Sequence, residues 1–394
     1  MKKVLAFLAL LVIGAGIMSG CWSRKELNEL AIVLGVGVDR TPDDQVQLTL
    51  QLARPSAFVG GGEARGREPA TWVVSETGKT VLDAQRKLAL RISRNIYWSH
   101  CVIAVVGEDA ARSGIRRYIS FFAQAPQPRE TMWFLVARGK AGDILESRSI
   151  LEKTSAQDIG FLARARTGYS VNFKDFLVML ATKGSNPIAA RVEIIGRGVV
   201  PGAPAMEKSV EEEGPALTGT AVFRGETLAG WLDESETRGL LWLRGEVLKG
   251  IISIPSPAEP GKEMSIDIIR GRTIVKPRYD GESVWFDVEI IVEGDLLEQQ
   301  SKDELPEREA LEAIERAMAG EVEKKARLAL EKAQAEFGAD LFDFGVAFHR
   351  KYPKKWKEIK DRWNELFAGA EVRFSVEAHL RRSGLIAKRL TPRE

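Results

Sequence analysis

QVQLTLQL, Gln45 to Leu52, sets Val46, Leu48, Leu50 and Leu52 on one side of an extended chain and Gln45, Gln47, Thr49 and Gln51 on the other. A period of two marks a strand with one buried side. Upstream, the apolar run Ala31 to Val38 ends at Asp39. Thr41-Pro42-Asp43-Asp44 between the two segments is turn chemistry, so they are expected to pair as a hairpin. Strand-like and helix-like stretches then alternate to about residue 200. Alternation alone favours parallel βαβ units, but a strand with a clean polar side suits an antiparallel or mixed sheet. The expected fold class is therefore α+β, multi-domain, with mixed or antiparallel sheets and packed helices.

Outward from that hairpin, GGGEARGR (60–67) reads as an exposed loop. A helix is expected over 80–92, a strand over 96–106, a helix over 107–122, a strand at TMWFLVARG (131–139) and a helix over 143–151. Residues 151–184 read as two helices joined near 167–171. The stretch from Val199 to Gly219 has three prolines, three consecutive glutamates and no periodicity. It divides the chain into an N-terminal α+β region, 21–198 (one unit or two subdomains), a linker, 199–216, and a C-terminal α+β domain, 217–394.

In the second half, GTAVFRGETLAGWL reads as a tight hairpin, and Asp233 with Glu236 forms a capping-box pattern opening a helix. Strands follow at 265–269 and at SVWFDVEIIVE, where Val284, Phe286, Val288, Ile290 and Val292 share a side. Pro306 suits the first turn of a long helix whose stripe runs Leu311, Ile314, Met318, Val322, Ala326, Ala329, Ala333, Phe337, with Gly338 as its end. A basic helix and the strand EVRFSVEAHL close the chain. The expectation for this half is a sheet crossed by one long helix.

The N-terminus carries the clearest address. Lys2 and Lys3 precede an uncharged run, Val4 to Met18, then Ser19, Gly20 and Cys21. This is a secretory leader, short for a bilayer span. Met18-Ser19-Gly20-Cys21 resembles a lipobox, with Met where Leu is usual. Residues 1–20 are then a lipoprotein signal peptide, and Cys21, thioether-linked to diacylglycerol, becomes the first residue of an exported, membrane-anchored protein. Without Lys2 and Lys3 the 57 basic residues become 55, against 55 acidic ones. A formally neutral chain speaks against a nucleic-acid partner. Two cysteines in so long an exported chain exclude a disulfide scaffold, and Cys101, in YWSHCVIAVVG, reads as a small core hydrophobe.

Catalytic signatures are missing. His100, His349 and His379 are scattered, and the chain has no HExxH, CxxC or GxSxG; GVGVDR fits neither a phosphate loop nor a dinucleotide fingerprint. No enzyme activity, metal or cofactor is expected. HRKYPKKWKEIKDRW interleaves aromatic and basic residues. Trp356, Ile359, Trp363 and Leu366 have helical spacing and are expected to pack inward, which leaves Lys354, Lys355, Lys357 and Lys360 as membrane-facing candidates for anionic headgroups.

Three separated stretches, CWSRKELNELAIVLGVGVDR, GTAVFRGETLAGWLDESETRGLLWL and FGADLFDFGVAFHRKYPKKWKEI, occur in an order that resembles the C-subunit lipoproteins of spore germinant receptors, the Ger(x)C family. The family commonly carries Asp where this chain has Ser23. The resemblance implies a multi-domain α+β fold and a non-enzymatic receptor subunit on the outer face of the spore inner membrane. Its implied partners are two integral membrane subunits, A and B, in a complex that senses nutrients and triggers germination. The rival reading is a solute-binding lipoprotein of a transporter, which would have two similar lobes around a ligand cleft; a purely structural envelope protein is a third.

Overall fold

The computed structural model describes residues 26–55, 69–196, 213–247, 249–257, 259, 261–301 and 308–382. The leader, Cys21, the loop 60–67 and Pro306 lie outside them. β1 (Leu30–Arg40) and β2 (Val46–Ala53) form the expected antiparallel hairpin, with Val36 opposite Leu50 and Val38 opposite Leu48. Asp44 takes the left-handed conformation (φ 56°) in its turn. β3 (Thr71–Gly78) adds antiparallel to β2, and α1 (Val81–Ala89) follows, its Thr80 side chain accepting from Asp83 N–H.

The strand expected over 96–106 is two strands, β4 (Asn95–Tyr97) and β5 (Ile103–Val106), both parallel to β1. The turn between them, closed by Cys101 N–H donating to Trp98 O, lets Trp98 enter an aromatic cluster with Phe121 and Phe122. The helix expected over 107–122 is likewise split into α2 (Glu108–Arg112) and α3 (Arg116–Gln124), because Gly114 turns the backbone to φ 108°. β6 (Trp133–Ala137), α4 (Ala141–Glu146), α5 (Ser155–Ala165), β7 (Val171–Asn172), α6 (Phe173–Ala181) and β8 (Ile188–Gly196) continue the chain. α4 starts two residues before the expected helix over 143–151 and stops at Glu146. Asp39 fixes its start, accepting from the N–H of Ala141 (2.8 Å) and Gly142 (2.9 Å).

β9 (Glu213–Arg224) and β10 (Thr227–Leu232) form the expected tight hairpin. β9 pairs with β8, Ile188 opposite Val222, so the hairpin completes the first sheet instead of opening a separate one. Residues 213–216, expected as linker, are strand. The sheet order is β10-β9-β8-β6-β5-β1-β2-β3. β1, β5, β6 and β8 run parallel in its centre and antiparallel hairpins flank it, a mixed sheet. Helices cover both sides, as a parallel centre requires: Val81, Ala111, Phe122 and Phe176 pack on one, Ile144, Ala156 and Ile159 on the other.

The polar side of β2 is therefore not a solvent face. Thr49 and Gln51 are 0% and 2% exposed. Gln51 Nε2 donates to Leu145 O and Ser155 Oγ (both 2.8 Å), and its Oε1 accepts from Ala156 N–H (3.2 Å). One glutamine thus satisfies the end of α4 and the start of α5, groups that helices leave unpaired.

In the second half, α7 (Glu234–Arg244) opens on the expected capping box between Asp233 and Glu236. β11 (Ile251–Pro255), β12 (Glu263–Tyr279) and β13 (Val284–Gln299) form an antiparallel run, and β14 (Glu371–Arg382) joins β13 in parallel. Between them lie α8 (Arg308–Lys332) with a π turn to Phe337, α9 (Phe344–Lys351), α10 (Pro353–Ile359) and α11 (Trp363–Ala368). α8 crosses this four-stranded sheet with Ile314, Met318, Val322, Ala326, Ala329, Ala333 and Phe337 buried. Leu311, the first residue of the expected stripe, is 36% exposed. Within this half α7 lies closely on α8: a Cβ at Gly239 would meet Lys325 O at 1.9 Å.

Replacing Gln51 with Leu strands the Ala156 N–H and leaves the Leu145 carbonyl with Ser155 Oγ alone (3.0 Å). The expected loss is about 1–3 kcal/mol, read as a lower urea midpoint. Gln47→Leu, on the same side of β2 but only half-buried, should stay within about 0.5 kcal/mol of the parent.

Candidate functional site

The chain enters the described fold extended at Glu26, makes one 3₁₀ turn at Leu27–Glu29, and becomes β1. The parallel strands β1, β5, β6 and β8 begin at one edge of the sheet. The loop before β8 reaches α10: Gly184, in the left-handed region (φ 85°), lies so close to Trp356 that a Cβ would meet its ring at 2.4 Å. The loop before β8, with Trp356 of α10 against it, therefore sits at the edge where β1 begins; β8 and β1 are three strand spacings apart, about 15 Å.

The basic segment is not one helix. A 3₁₀ turn at Lys360–Arg362 separates α10 from α11. Trp356 and Trp363 are 3% and 2% exposed, and Ile359 and Leu366 are half-buried, so the aromatic stripe is core. Phe367, outside the expected stripe, is fully buried beside them. Lys354 and Lys357 are exposed; Lys355 and Lys360 are half-buried. Lys355 pairs with Glu358 at 2.9 Å and sits 5.4 Å above the Tyr279 ring.

Between these features lies a junction that sequence reasoning missed. Asp340, in the FGADLFDFG turn, is fully buried. Its Oδ1 accepts from the N–H of Phe342 (3.0 Å) and Phe344 (3.2 Å); its Oδ2 accepts from Gly345 N–H (2.7 Å) and Trp363 Nε1 (2.9 Å). Burial pushes the carboxyl up and the donors from Gly345, Trp363 and Phe342 hold it back, leaving it raised to about 6. The Asp340 carbonyl accepts from Asn186 N–H at 2.9 Å. Asn186 also donates to Asn364 Oδ1 (3.0 Å) and accepts from Gly225 N–H (3.1 Å) in the β9–β10 turn. Arg244 adds a clamp, donating to Leu341 O (2.8 Å) and pairing with Asp343 (3.0 Å). Three parts of the chain are locked together: the loop before β8, the hairpin tip, and the α9–α11 region. An acid flanked by Ala339, Leu341 and Phe342 is the signal that could have found it.

The arrangement holds elements together; it does not present a reactive group. All three histidines are exposed, and His349 stacks on Trp356. Among the described residues, no group of three His, Cys, Asp or Glu is placed to hold a metal. Cys101 is a buried free thiol donating to Ile103 O, and burial pushes its pKa up to about 12.

Two family models cover most of the chain: "Spore germination protein N-terminal domain" matches residues 23–194, and "Spore germination B3/ GerAC like, C-terminal" matches residues 218–384. The chain belongs to the Ger(x)C family of spore germination proteins. It is 28% identical to Spore germination protein KC of Bacillus subtilis, over 98% of this chain and 96% of that one. Spore germination protein B3 of the same organism is 22% identical, over 94% and 96%. A solved structure, described as the crystal structure of the GerBC protein, aligns with a TM-score of 0.58 at 16% identity, covering 88% of this chain and 96% of that one. The fold is shared with this Ger(x)C relative. The second family segment supplies β10 and most of β9 to the sheet of the first, so the two segments fold around one junction.

Asp340→Asn keeps the shape but points an amide NH₂ at two N–H donors. It should destabilise the chain by about 3 kcal/mol, seen in the urea midpoint. Asp343→Asn, whose partner Arg244 keeps Leu341 O and Glu246, should lose under about 1 kcal/mol.

Proposed function

We propose that this Ger(x)C protein is a lipid-anchored, non-enzymatic subunit of a nutrient germinant receptor. It is held on the outer face of the spore inner membrane beside the integral membrane A and B subunits and is needed for germinant-triggered germination. The observation that carries the reading is the family match across nearly the whole chain, joined to the Met18-Ser19-Gly20-Cys21 lipobox. Among the described residues no helix is long and apolar enough to cross a membrane, so in this reading the acyl groups on Cys21 do the anchoring. Each buried CH₂ adds about 0.8 kcal/mol, and two chains hold where one does not.

The tether raises the local concentration of the protein near its partners, so weak contacts suffice. The junction at Asp340 supports a subunit that responds as a unit: a push on one sheet is carried to the other without loss in a loose linker. Ligand binding elsewhere in the complex would then shift an equilibrium that this subunit helps define. Lys354, Lys355, Lys357 and Lys360 are the basic groups on the tethered edge, and in this reading they face the anionic headgroups, about 1 kcal/mol each near such a surface. The transporter reading wants two like lobes. The two sheets here differ in strand number and order, which favours the receptor subunit.

Cys21→Ala spores should lose the protein from the membrane fraction and lose most of the response to nutrients. Normal germination with the variant still in the membrane fraction would show that the anchor is not what matters.

A further inference from the structure

The edge of the first sheet where β1 begins carries three exposed apolar side chains. Leu27 is 64% exposed, Trp72 44% and Leu90 88%, and Trp72 is the most exposed tryptophan among the described residues. Trp72 lines one of two adjoining grooves that share Ile92, Ser93 and Arg94, and Leu27 and Leu90 are sequence neighbours of their lining residues. One, about 320 Å³, is lined by Leu30, Leu52, Pro55, Trp72 and Arg91. The other, about 850 Å³, is polar and includes Asn28, Gln85, Asn95 and Gln127. Leu90, at the end of α1, sits between Ala89 of one groove and Arg91 of the other, and Leu27 precedes Asn28.

Charge follows the same edge. Residues 86–94, RKLALRISR, hold four basic side chains and no acidic one. Lys87 pairs with Asp83 and Arg91 with Glu76. Arg86 and Arg94 are exposed and make no ion pair among the described residues. The acids at this edge are Glu26 and Glu29; Glu76 and Asp83, farther along β3 and α1, are paired as above. Aromatic and aliphatic tips above paired and free arginines suit the interfacial layer of a bilayer, where tryptophan is favoured and guanidinium meets phosphate.

The length of chain between anchor and fold decides the occupant. Only five residues, six chain steps, separate Cys21 from Leu27, at most about 20 Å when fully extended. We infer that Leu27, Trp72 and Leu90, with Arg86, Arg91 and Arg94, form a membrane-docking edge that dips into the headgroup layer of an anionic phospholipid bilayer and orients the body on it. This rests on the tether reading and adds to it an orientation: the first sheet stands with the start of its parallel strands toward the lipid.

The test uses the full acylated chain reconstituted in phosphatidylglycerol vesicles, with Leu90→Cys or, as control on α8, Leu328→Cys carrying an environment-sensitive fluorophore. Cys21 is blocked by acylation and Cys101 by burial. The label at 90 should shift to the blue, be quenched by spin-labelled lipid, and be protected from aqueous iodide several-fold more than the label at 328. Adding Trp72→Ala should lessen that protection. Equal iodide access at both positions, in protein that floats with the vesicles, overturns the docking edge and leaves the anchor standing. Protein that does not float removes the anchor and the edge together. Protection at 90 that arises only when the receptor's membrane subunits are present would make this a protein interface, and the lipid assignment would be wrong.

Discussion

A buried carboxylate held by four N–H groups joins the two sheets of this protein into one object. Asp340 draws three backbone amides of its own turn and the indole of Trp363 onto two oxygens, and its carbonyl takes the amide of Asn186 from the other half. An isolated buried charge would be prohibitive; a fully coordinated one fixes the position of each donor. The aromatic packing around it, Phe286 on Phe344 and Trp356 against Trp363, depends on that turn holding its shape. The same solution recurs at smaller scale. Asp39 caps α4 and Gln51 caps α5 from across a sheet, so polar side chains in otherwise apolar surfaces set how helices dock.

Rigidity has a bearing on function because the proposed role is mechanical. A tethered body that flexed at its middle would lose displacement between a partner at one end and a bilayer at the other. Here the hairpin β9–β10 crosses the boundary between the two family segments and finishes the first sheet, and its tip is bonded to Asn186 beside the Asp340 turn. If Cys21 is the anchor, as proposed, the short span from it to Leu27 leaves little slack. A germinant signal passing through such a subunit would travel as movement of the whole body.

Local chemistry was the legible part of this fold. The alternation in Gln45–Leu52, the turn at Thr41–Asp44, the Asp233–Glu236 box and the stripe of α8 all depend on neighbours in sequence, and each appears in the structure. What escaped was set by distant residues. Gln51 looks solvent-facing until α4 and α5 arrive to use its amide. The strand near 96–106 breaks because Trp98 has an aromatic cluster to enter. Helix 107–122 breaks at Gly114, a glycine that periodicity alone passes over. Asp340 belongs to no local pattern, because its donors include Trp363 and its carbonyl's partner Asn186 lies in the other half. At the candidate site, the inward tryptophans of α10 and α11 were readable from spacing; the docking edge was not, since it is assembled from the starts of β1 and β3 and the end of α1.

The account stands on lipid attached to one sulfur. Intact mass spectrometry of the protein extracted from its native membranes measures this directly. The predicted result is a chain beginning at Cys21 and heavier by a diacylglyceryl group with or without a further acyl chain. A chain beginning elsewhere, a bare thiol at Cys21, or an uncleaved leader would contradict it.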